Sequence, residues 1–198
     1  MKLFGFALLP NVETQKEIIS FRRQFSDIFF GPMLSLSENL PHISILQCPF
    51  SENIPIKDII ENANSHFQLP ITLTWDELIY QPVGWVFANV QKIPVLFSLQ
   101  TYLLEQSEKY INRSSINPKK STKGYTKEEI DSYFQYGYRY IGEAYKPHVT
   151  IGKIDEFLEI PLSAVLDFNE NFSEQEVVFN RIIYYEAGEY GVAKRIIF

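Results

Sequence analysis

Cysteine is almost missing: Cys48 is the only one in 198 residues. One thiol closes no intrachain disulfide and excludes a zinc site built on four cysteines. A reducing, cytoplasmic setting is the expectation that follows. Net positive charge is missing too. Asp and Glu number 24 against 18 Lys and Arg, a balance of −6 with a pI near 5.2. Coating long double-stranded DNA requires a strongly basic face, so that class of partner is excluded. A pocket for one nucleotide or an RNA end needs only a few local cations and stays open. Long apolar runs are absent as well. No stretch approaches the roughly 20 apolar residues that span a bilayer, so no membrane partner is expected. Met1–Pro10 is apolar but short and lacks a small-residue cleavage site, so no secretory leader is expected. Histidine is scarce, with three in the chain.

What is present is an ordinary globular composition, 45% hydrophobic, with 16 Phe and 12 Tyr. Residues 3–9 read as a buried strand closed by Pro10. Thr14 with Glu17 forms a capping-box pattern. Ile18, Phe21, Phe25 and Phe29 then hold helical spacing until Gly31-Pro32. Residues 41–46 read as a strand, and Ile56 to Phe67 as a helix. Residues 71–80 and 84–91 read as two strands around Gln81-Pro82. A third helix starts near Pro94. Residues 113–124 form a polar loop carrying Lys119, Lys120 and Lys123. Thr126 and Glu129 repeat the capping box and open a Tyr-rich helix to about residue 140. Residues 146–154 read as a strand and 161–167 as a short helix. Two strands around Gly188 and Gly191 close the chain. No linker rich in Pro, Gly or Ser divides it. The reading is a single α+β domain over 1–198 made of two similar halves.

Two pentapeptides carry the chemistry. Pro41-His42-Ile43-Ser44-Ile45 and Pro147-His148-Val149-Thr150-Ile151 both read Pro, His, aliphatic, hydroxyl, Ile, and lie 106 residues apart. In a strand the imidazole and the hydroxyl share one face, and the aliphatic residues anchor the other in the core. Paired across a cleft, one neutral imidazole takes a proton while a second, protonated one gives a proton to a departing oxygen. Ser44 and Thr150 are placed to hydrogen-bond phosphoryl oxygens. The arrangement requires no metal or other cofactor. A two-histidine zinc site would need a third ligand, usually a carboxylate, and none stands at useful spacing. One such tetrapeptide arises by chance; two, each in a strand after Pro, form a much stronger signal.

The paired His-x-Ser/Thr motifs resemble those of the 2H phosphoesterase superfamily. That group includes RNA 2′-5′ ligase-like proteins and phosphodiesterases acting on 2′,3′-cyclic ends. Lys2–Pro10 looks like the opening strand of the ligase-like branch, and Lys146–Ile151 like its second motif, with Lys153 where a basic residue is often found. Ser44 replaces the commoner Thr, Leu46 stands where that branch often carries Arg, and the long Tyr- and Lys-containing stretch 113–146 looks like an insertion that shapes the substrate pocket. The resemblance implies two pseudo-symmetric lobes, each with an antiparallel sheet flanked by helices, around a central cleft. It implies catalysis by His42 and His148, and phosphate binding by Ser44 and Thr150. The substrate would be a 2′,3′-cyclic phosphate or a 2′-5′ linkage of RNA or an oligonucleotide. The rival expectation is a module that holds RNA or a nucleotide in the same cleft without turnover.

Around the motifs, Lys153 and Tyr145 are the candidates for substrate contact. Among Tyr125, Tyr133, Tyr136, Tyr138, Tyr140 and Tyr145, most are expected to pack on the core and one or two to reach the cleft, where a ring stacks on a base. The lysines at 119, 120 and 123 read as a solvated loop or as a guide for a phosphate chain. His66, near a helix end, reads as structural.

Overall fold

A computed structural model describes residues 2–31, 33–81, 84–91, 94–155, 159–188 and 192–198. Pro32, Pro82 and Gly191, three of the breaks read from the sequence, lie outside the described residues. Seven strands and five α-helices run in the order β1 (Phe4–Pro10), α1 (Val12–Gln24), β2 (Ile43–Cys48), α2 (Ile56–Phe67), β3 (Ile71–Gln81), β4 (Trp85–Val90), α3 (Pro94–Ser107), α4 (Lys127–Tyr136), β5 (His148–Lys153), α5 (Leu162–Asn171), β6 (Glu176–Ala187) and β7 (Ala193–Ile196). The fold is α+β, as the sequence indicates.

All pairings are antiparallel, in the order β1-β2-β5-β4-β3-β6-β7, and β6 also pairs with β1. The six strands β1 to β6 therefore close on themselves. Phe179 makes the joint. It partners Ile71 of β3 and Pro10 of β1, so β6 leaves one strand group and enters the other. At the opposite side the ring is joined by a single pair, Ile43 of β2 with Val149 of β5. Two lobes result, one from β1, β2, β7 and the C-terminal part of β6, the other from β3, β4, β5 and its N-terminal part. They are not the two halves of the sequence. Each half contributes strands to both lobes.

The helices lie on the apolar side. The helices α2 and α3 pack on each other and on β6 and β2, while α1 and α5 pack on β5 and β3. Ile43, Ile45, Val149 and Ile151, the aliphatic positions of the two pentapeptides, are all fully or almost fully buried in this core. No helix among the described residues is long and apolar enough to cross a membrane.

Two helix ends differ from the sequence expectation. α1 begins earlier, because the Asn11 side chain, not Thr14, caps it by accepting from the Thr14 amide. It stops at Gln24, and Phe25 and Phe29 reach the same core from turns. α4 has the full Thr126–Glu129 capping box but ends at Tyr136, not near 140. Gly137 follows with φ of 83°, a left-handed cap that suits glycine. A Cβ there would also come within 2.9 Å of Pro49. The chain turns out of the helix, and Tyr138, Arg139 and Tyr140 leave the helical face on which their spacing would have put them.

Candidate active site

The pairing of Ile43 with Val149 places the two motifs side by side. Carried one residue each way, that register sets His42 across from Thr150 and Ser44 across from His148. The two histidines are then diagonal neighbours, with a separation of about 7–8 Å between their positions. His42, Ser44, His148 and Thr150 all line one cavity of about 1420 Å³.

The two imidazoles are held in the same way. His42 Nδ1 lies 2.7 Å from the Leu40 carbonyl, and His148 Nδ1 lies 2.6 Å from the Lys146 carbonyl. Each carbonyl belongs to the residue two before its histidine, with proline between. Proline has a fixed φ and keeps its predecessor extended, which turns that carbonyl back toward the ring. A carbonyl only accepts, so each Nδ1 carries hydrogen and each Nε2 is left for chemistry. The Ser44 hydroxyl then donates to His42 Nε2 over 3.2 Å, and the Tyr185 hydroxyl donates to Ser44 Oγ over 2.9 Å.

Aromatic walls enclose the rings. Phe87 stacks on His148 at 3.7 Å between centroids, Tyr140 meets it edge-on at 5.5 Å, and Tyr185 lies 5.0 Å from His42. Removal of water penalises the charged imidazole, so burial lowers both pKa values, His148 to about 4. The Lys146 carbonyl opposes this shift at His148, and Arg139 adds to it. Burial acts the other way on the phenols, raising Tyr185 and pushing Tyr138 up to about 12.

The cavity is electrostatically one-sided. Lys120, Lys123 and Arg139 line it together with the two histidines, and among the described residues no Asp or Glu does. In a chain with a net charge of −6 that segregation favours an anionic ligand. Among the described residues no three His, Cys, Asp or Glu side chains come together as metal ligands would.

The remaining candidates separate. The Lys153 side chain lies beside Phe30 and Trp85, 5.9 Å from the Trp85 ring, and Trp85 lines the cavity while Lys153 does not. Tyr145 is buried beneath β2, packs against Phe97, and its hydroxyl donates to the Ser44 carbonyl at 3.4 Å. It supports the motif from behind and is absent from the cavity lining. Tyr125, Tyr133, Tyr138 and Tyr140 do line the cavity, more of the tyrosine run than the sequence suggests. His66 stacks on Tyr102 far along the chain from either motif. Sequence reasoning missed Phe87, Tyr185, Gln47 and Arg139. Only Arg139 had a local signal, as the one cation in the run Tyr136-Gly137-Tyr138-Arg139-Tyr140.

This closed antiparallel α+β sheet, with the two His-x-Ser/Thr strands meeting at its seam, has the fold of E. coli LigT. E. coli LigT in its apo form matches 98% of this chain and 92% of its own, with a TM-score of 0.51 at 15% identity. E. coli LigT complexed with 3′-AMP and a protein described as a phosphoesterase each match 98% of this chain and 93% of their own, both with a TM-score of 0.49 at 15% identity. No family model and no curated protein matches the sequence.

Proposed function

We propose that this protein is a metal-independent phosphoesterase acting on a 2′,3′-cyclic phosphate or a 2′-5′ phosphodiester of RNA or an oligonucleotide. One observation carries the reading: two imidazoles, each with Nδ1 tied to a carbonyl, meet across the β2–β5 seam in a cavity lined by cations and, among the described residues, no carboxylate. One neutral Nε2 takes the proton of the attacking hydroxyl, from water on a cyclic phosphate or from the neighbouring 3′-hydroxyl on a 2′-5′ linkage. The new oxygen–phosphorus bond forms as the bond to the departing oxygen breaks, and the second imidazole, protonated, gives that oxygen its proton. Thr150 donates to a phosphoryl oxygen, and so does Ser44 once bound substrate turns its hydroxyl away from His42 Nε2. General acid–base catalysis of this kind contributes about 10²–10⁴-fold per group.

The pH dependence follows from the lowered pKa values. In the free protein at neutral pH both imidazoles are neutral, whereas the reaction needs one of each form. The singly protonated form grows as pH falls below about 6.5 and declines once the second ring is protonated. The optimum of kcat/KM is expected on the acid side of 6.5. A bound phosphodiester anion favours the imidazolium, so the optimum of kcat lies at higher pH. Hydrolysis of 2′,3′-cyclic nucleotides and of 2′-5′ linked dinucleotides in EDTA tests the reading. His42→Ala and His148→Ala are each expected to lose at least about 10²-fold in kcat with the fold intact. Wild-type rates in either variant would sink the acid–base account. Tight binding with no turnover across the panel would favour a binding module.

A further inference from the structure

Beyond the two motifs, the cavity holds a second group of anion-binding side chains supplied by one segment of the chain. The Arg139 guanidinium sits between two phenol rings, 4.8 Å from the centroid of Tyr125 and 4.4 Å from that of Tyr140. Such stacking holds the plane of the guanidinium and leaves its N–H donors at the edges. Arg139 makes no ion pair and no hydrogen bond among the described residues, although it lines the cavity. Among the described residues the buried Tyr140 hydroxyl has no hydrogen-bond partner, and neither has the buried amide nitrogen of Gln47, also in the lining. Buried polar groups are seldom left unpaired, so unpaired donors on residues that line a cavity point to a ligand. Lys120 and Lys123, in the same lining, complete the group.

Placement and size agree. Tyr140 bridges the two groups, with 5.5 Å to His148 on one side and 4.4 Å to Arg139 on the other. The second cluster is therefore one ring away from the reacting phosphorus of the proposed reaction. At about 1420 Å³ the cavity also exceeds what a single small ligand fills, since such pockets measure roughly 300–1,000 Å³. We propose that Arg139, Lys120 and Lys123 form a second phosphate subsite that takes the adjoining internucleotide phosphate of a single-stranded oligonucleotide, making an oligonucleotide end, not a mononucleotide, the ligand this cleft selects. This deepens the proposed function and rests on it for the position of the reacting phosphate.

Equilibrium binding separates the two claims, because it needs no turnover. The probes are 3′-AMP and a trinucleotide ending in a 3′-phosphate, titrated into the full chain by calorimetry at two salt concentrations. The trinucleotide is expected to bind at least tenfold more tightly, with a steeper salt dependence. Arg139→Gln should bring the affinity ratio close to one, and Arg139→Lys should restore part of it. Lys120→Gln with Lys123→Gln should flatten the salt slope by about 0.7 for each phosphate that is no longer neutralised. Equal affinity of the wild type for both probes would overturn the proposal. So would an Arg139→Gln loss that is the same for both, which would assign Arg139 to the reacting phosphate. A preserved trinucleotide preference in a protein that turns over no phosphodiester would sink the catalytic reading and leave this subsite standing.

Discussion

At the scale of single residues, one missing side chain makes room for one hydroxyl. Gly5 on β1 is the register partner of Tyr185 on β6 and lies beside β2 at Gln47. A Cβ at position 5 would stand 2.7 Å from Cε1 and 2.8 Å from Cζ and Oη of Tyr185. The Tyr185 ring is completely buried and cannot swing aside. It crosses the bare backbone of β1 to reach Ser44, whose own hydroxyl donates to His42 Nε2. Gly5→Ala is therefore expected to displace the Tyr185 hydroxyl and free Ser44, costing about 1–3 kcal/mol through overpacking. Tyr185→Phe removes the hydroxyl alone, with about 1 kcal/mol of stability. If both act through the Tyr185–Ser44 bond, the double variant loses no more activity than the worse single one, a non-additivity that a double-mutant cycle in kcat measures. Additive losses would show that Gly5 and Tyr185 act separately.

At the scale of the element, α4 acts through its first turn. The Glu129 carboxylate closes the capping box by accepting from the Thr126 amide with Oε2, and its Oε1 takes the Lys146 ammonium at 2.5 Å. Glu129 is buried and Lys146 about one third exposed. The Lys146 carbonyl in turn receives His148 Nδ1–H. A helix start thus steadies the backbone that orients an imidazole. Removing one partner of a buried ion pair leaves an uncompensated charge, a penalty of about 3–5 kcal/mol that partial exposure of the lysine brings toward the low end. Lys146→Met is expected to lower stability by about 3 kcal/mol in urea titrations. Glu129→Gln should cost less, because the amide still caps the helix and no carboxylate stays unpaired. Combining the two should recover most of the Lys146→Met loss. A Lys146→Met change within about 0.5 kcal/mol of wild type would rank the pair with ordinary surface bridges.

At the scale of the whole molecule, the site exists only because the sheet closes. The pentapeptides could be read directly, since period-two alternation puts each imidazole and hydroxyl on one face within five residues. The strands read at 71–80 and 84–91 fall on β3 and β4, and the Thr126–Glu129 helix start was legible from its capping box. The exchange of strands between lobes was not, because β1 meets β6 across more than 160 residues and no local pattern encodes that partner. Tyr185 escaped for that reason, and Arg139 because a glycine cap, weak in the sequence, ended α4 one turn before the periodicity did. Closure also bears on folding. Phe179 is fully buried where β6 passes from β3 to β1, and the only other strand pairing between the lobes, among the described residues, is the Ile43–Val149 pair. We propose that the lobes form one cooperative domain. Trp75 and Trp85 lie on β3 and β4 of one lobe, whereas α2 and α3 cover the other, so tryptophan fluorescence and far-ultraviolet circular dichroism weigh the lobes differently. The two urea transitions should coincide. Phe179→Ala should shift both together by about 3–5 kcal/mol. A fluorescence transition that moves while the dichroism transition stays in place would show that each lobe folds without the other, and that the seam holding the histidines is a contact between two domains.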